Sequence, residues 1–70
     1  MFVTTLLRRT RIENSFDAWA YAADEAREAL EAWRTSDPRD RAEAYVVYRA
    51  ALDREGHAAD VLAAGVLRAA

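Results

Sequence analysis

The sequence predicts an all-α protein, an antiparallel helical hairpin preceded by an N-terminal arm. Three observations carry that expectation. Apolar side chains over residues 15–35 recur at alternating intervals of three and four, the a/d spacing of packed helices. The run Thr35-Ser36-Asp37-Pro38 then stops one helix and starts another. Beyond it the same spacing resumes, after a connection too short for anything but an antiparallel neighbour.

Helix one is expected over about 15–35. Asn14 or Ser15 can cap it, and Asp17 places a negative charge in its first turn, where the helix dipole favours one. Its interior has no Gly, Pro or β-branched residue and is rich in Ala, Glu, Leu and Arg. Phe16, Trp19, Ala23, Ala26, Leu30 and Trp33 form its seam. Helix two is expected over about 38–55, with Asp37 as cap, Pro38 at the first helical position and Asp40 in the first turn. Tyr45, Tyr48, Leu52, Ala59, Leu62, Val66 and Ala69 continue a seam in which Glu55 is the one polar break. The helix either continues to 69 or breaks at Gly56, which suits a helix end but is followed by no cap for a new start.

Laid side by side, positions whose numbers sum to about 75 face each other across such a hairpin. Leu30 then meets Tyr45, Ala26 meets Tyr48, Ala23 meets Leu52, and Trp19 meets Glu55 and Gly56. Large faces small at most levels, and Gly56 is expected to seat the Trp19 indole. Helix two then outruns helix one, so Leu62, Val66 and Leu67 need cover.

The chain of 70 residues makes one small domain at most, and residues 1–13 form its arm. That arm carries Arg8, Arg9 and Arg11 against Glu13, and clusters the β-branched Val3, Thr4, Thr5, Thr10 and Ile12. Strand, helix and coil remain open for it. Its apolar residues are the natural cover for the far end of helix two, from the same chain or a second one.

Apolar residues make up 53% of the chain, but 17 of them are Ala, so the large side chains are few. All ten basic residues are Arg, which with the Ala content matches a GC-rich genome and weakens any Arg-specific reading. No Cys is present, so disulfides and thiolate metal sites are excluded. The net charge of −2 excludes a generally basic nucleic-acid coat. Apolar runs are too short to cross a bilayer, and the start lacks the basic-then-apolar pattern of a secretory signal, so a cytoplasmic location is expected.

Chemistry-bearing constellations are sparse. Asp53, His57 and Asp60 share a helical face at i, i+4 and i+7, a pattern able to bind a transition metal, against the simpler reading of a solvated face. Asp17, Asp24, Glu28 and Glu31 form an acidic stripe, with Arg27 to Glu31 as an i,i+4 pair. No nucleophile–base pair and no Gly-rich phosphate loop stands out, so neither catalytic residue nor cofactor is expected.

An arm followed by two helices resembles, in element order, the ribbon-helix-helix DNA-binding dimers, with Arg8, Arg9 and Arg11 as the phosphate contacts that likeness implies. Ala26, Leu30, Pro38, Tyr45, Tyr48, Leu52 and Gly56 partly echo the spacing of tetratricopeptide repeats, although Trp33 stands where that repeat wants a small residue. The favoured expectation is a non-enzymatic helical interaction module. It completes a helical bundle as a homodimer or other homo-oligomer, or as a small subunit of a larger assembly. Its expected interface is Phe2, Leu6, Leu7, Tyr21, Leu62, Val66 and Leu67. A small DNA-binding regulator using the Arg arm and a metal-binding helical protein are the alternatives.

Overall fold

The structure, a computed structural model, describes residues 2–70, with side chains from residue 3 onward. Two α-helices, α1 (Phe2–Arg34) and α2 (Arg41–Ala69), lie against each other as an antiparallel hairpin. The molecule is a rod of 58 × 13 × 12 Å, and no strand occurs among the described residues.

The arm is not a separate element. It is the first third of α1, and Asn14 and Ser15 lie inside the helix rather than at its cap. A capping residue caps only where the chain before it leaves the helix. No Gly or Pro precedes residue 14, and continuing a helix adds one hydrogen bond per residue without a new nucleus. The β-branched cluster is accommodated locally. The Thr10 hydroxyl donates to the Leu6 carbonyl at 3.0 Å, and Arg9 pairs with Glu13 one turn on.

The stop comes where expected. Thr35 and Ser36 donate from both backbone and hydroxyl to the carbonyls of Glu31 and Trp33, which satisfies the last turn of α1. The restart is later than expected. Residues 37–40 form a single turn closed by the Asp40 N–H on the Asp37 carbonyl at 2.8 Å, and α2 begins at Arg41 with Asp40 as its N-cap residue. Asp37 therefore braces the turn rather than the helix. Its carboxylate accepts from the Arg39 N–H at 3.0 Å and from the Arg39 guanidinium at 3.2 Å. Those bonds, the backbone one first, hold Asp37 below the ordinary carboxylate value of 3.8.

Of the two outcomes open at Gly56, the structure shows the continuous helix. A helical Gly costs about 1 kcal/mol, and breaking here would strand several backbone groups with no cap to receive them. No glycine of the described chain has positive φ.

The register differs from the expected one by about two residues, roughly half a turn. Trp33, not Leu30, packs on Tyr45, with ring centroids 5.1 Å apart, and it stacks on Tyr48 at 5.7 Å. Ala51 and Ala26, 1% and 5% exposed, are the buried residues at the centre. Ile12 lies level with Gly65, where an added Cβ would stand 4.0 Å from the Ile12 Cγ1. Gly56 has nothing within 4 Å of such a Cβ, so it seats no indole.

The contact line of α2 is therefore Ala44, Ala51, Ala58 and Gly65, small residues at every seventh position, with Tyr48, Glu55 and Leu62 between them. On α1 it is Ile12, Trp19, Ala26 and Trp33 with Ser15, Ala22 and Ala29. The overhang also has the other owner. α1 is the longer helix, and α2 ends with Ala69 beside Thr5, Arg8 and Ile12. Leu62 is half-buried, whereas Val66 and Leu67 stay 48% and 76% exposed.

Two predictions test this packing. Ala51→Leu should cost about 1–3 kcal/mol in urea unfolding by overpacking the centre, whereas Ala50→Leu, on exposed surface, should stay within about 0.5 kcal/mol. Equal costs would place the contact line elsewhere. The Asp37 carboxyl has a folded pKa below its unfolded one, so its stabilisation is present above 3.8 and lost as pH falls through the lowered value. The gap in Tm between the parent and Asp37→Ala should be widest near neutrality and close on acidification, and a gap independent of pH would remove the turn bracing.

Candidate interaction surface

Rotating the contact line onto the small residues leaves the expected seam partly outside. Trp19, Ala23, Leu30, Tyr48 and Leu52 belong to one flank of the hairpin, where they line an open groove of about 410 Å³ with Ala20, Asp24, Ala26, Arg27 and Glu55. Phe16 and Tyr45 carry the flank further along both helices and stay 53% and 43% exposed. Phe16 is tilted against Trp19 at a ring distance of 5.7 Å. Each helix thus has an apolar stripe wider than the a/d line. A single neighbour covers only part of it.

The opposite flank is built differently. Glu25 and Arg54 form an ion pair across the helices at 3.5 Å, beside Glu28, Ala29 and Val47. Farther along, Asn14 and His57 line a shallow cleft with Ala18, Ala58 and Val61. Charged and amide groups interrupt this side at nearly every turn, so its exposed Val46, Val47 and Val61 form no continuous face.

The residues expected at the interface are exposed but scattered. Leu6 and Leu7 sit at the open end of α1, and Val66 and Leu67, the latter 76% exposed, at the end of α2. Tyr21 is exposed on the flank away from the groove, and Leu62 is half-buried. The Phe2 side chain falls outside the described residues. Leu30 and Leu52 are half-buried in the groove and Phe16 and Tyr45 exposed beside it, although the size and spacing of all four suit a seam. The better signal was the repeat of small residues in α2.

The other constellations come apart. Arg8, Arg9 and Arg11 lie on a helix, with Arg9 paired to Glu13, so the strand that a ribbon-helix-helix layout needs is missing among the described residues. Asp53, His57 and Asp60 are exposed, and no metal-holding group of three or more His, Cys, Asp or Glu forms among the described residues. Arg27 pairs with Asp24 in place of Glu31. No helix of the described chain is long and apolar enough to cross a membrane. Comparison with known proteins found no matching family, no similar curated protein and no similar solved structure.

Proposed function

We propose that this chain is a non-enzymatic helical interaction module whose groove-bearing flank is a docking surface. The observation that carries this is the missing core. No large side chain of the described chain is fully buried, and the chain exposes 5657 Å². A compact monomer of 7.9 kDa exposes about 4,400 Å². The excess of roughly 1,200 Å² exceeds the ~800 Å² that each partner contributes to a standard interface. The radius of gyration of 16.2 Å likewise exceeds the ~11 Å of a compact 70-residue domain. A two-helix rod with an Ala-rich contact line buries too little to offset the ordering of its own chain. A partner that covers the aromatic flank supplies the missing burial.

Melting as a function of concentration tests the reading. If the hairpin is completed by its own copies, Tm should rise by about 5 °C for each tenfold increase in protein. If a different chain completes it, the isolated protein should be monomeric with weak, non-cooperative helicity. A sharp, concentration-independent melt at monomeric mass would remove the need for any partner and sink the proposal.

A further inference from the structure

The groove flank has polarity along its length, and that polarity identifies an occupant. Near the turn the flank is bulky, with Leu30, Trp33, Tyr45 and Tyr48. Toward the open end α2 presents Gly56, Ala59 and Ala63, while α1 presents Ala20 beside Trp19 and the exposed Phe16. The space above Gly56 is empty to 4 Å. On α2 one half of this face is a ridge and the other a hollow.

Charge is divided along the same axis. Arg8, Arg9, Arg11 and Arg68 gather at the open end against Glu13 alone, a net +3 over residues 1–13 and 62–70, whereas residues 14–61 carry a net −5. Resting on the reading above, we infer that the groove flank binds a second copy of this chain, face to face, about a two-fold axis perpendicular to the helices, with the two turns at opposite ends.

Charge decides the orientation. With the turns at the same end, eight arginines crowd together across a gap comparable to a Debye length of about 8 Å. With the turns opposed, α2 faces its own copy and Tyr45 of each chain enters the hollow over Gly56 and Ala59 of the other. Leu52 then meets its own counterpart near the axis, and the two Arg clusters are carried to opposite ends of the assembly. The product is a four-helix bundle in which one self-complementary patch serves both chains.

The absence of Cys makes a single introduced thiol a clean reporter. Ala70→Cys carrying a nitroxide should give an intermolecular spin–spin distance above about 40 Å, given a rise of 1.5 Å per residue along the rod. A dimer with a distance of about 20 Å or less has its turns together, which overturns the inference and leaves the interaction module intact. Gly56→Leu provides the second arm. It favours the helix and its Cβ meets nothing within 4 Å in its own chain, so helicity at high concentration should persist while the dimer dissociation constant rises at least tenfold. An unchanged dimer with Gly56→Leu overturns the inference. A poorly helical monomer overturns the second copy but keeps the need for another chain, and a sharply melting monomer overturns both.

Discussion

Everything in this molecule follows from how closely two helices approach along a line of small residues. Ala44, Ala51, Ala58 and Gly65 present almost nothing at the seam, so the larger side chains between and beside them are displaced outward. Close approach is a gain for dispersion and a loss for burial. Backbones and methyl groups pack tightly, but alanine removes little apolar area from water. A Leu-rich seam would have held the helices farther apart and kept its large residues inside. Here the aromatic rings lie across the edge of the contact, half covered, and the hairpin has an inside only in the narrowest sense.

That trade also explains why the polar flank matters. The Glu25–Arg54 pair is more than half exposed on the arginine side, so its own contribution to stability is small. Its effect is on choice. A charged pair bridging both helices makes burial of that flank costly, whereas on the groove flank Asp24 and Arg27 pair with each other within α1 and can keep that pairing beside a neighbour. The two flanks of one hairpin are thereby distinguished, although the helices have similar composition.

Much of the fold was legible before any coordinates. Helix class, hairpin topology and the stop at Thr35-Ser36 follow from spacing and from a proline whose steric demands are local. The start of α1 was not legible, because Asn14 and Ser15 offer a cap that the chain does not use, and nothing in a cap residue reports whether the preceding segment is already helical. The register was missed for a related reason. Phe16, Leu30 and Leu52 satisfy an a/d pattern as well as Ala22, Ala29 and Ala51 do, and periodicity alone cannot weigh a large side chain beside the seam against a small one within it. The surface was legible only as a shortage. Composition announced too little core, but which residues would be left uncovered depended on the half-turn of rotation that spacing did not fix.

The turn at residues 35–40 has a consequence for how the molecule assembles in time. Trp33 and Tyr45 are close in sequence, whereas Ile12 and Gly65 are separated by most of the chain. Joining the first pair closes a short loop at little entropic cost, and each later level is reached from a neighbour already in place. The order of closure with the lowest entropic cost therefore runs from the turn toward the open end. Substitutions at the aromatic cluster fall on the rate of formation, and those near Gly65 on the rate of opening.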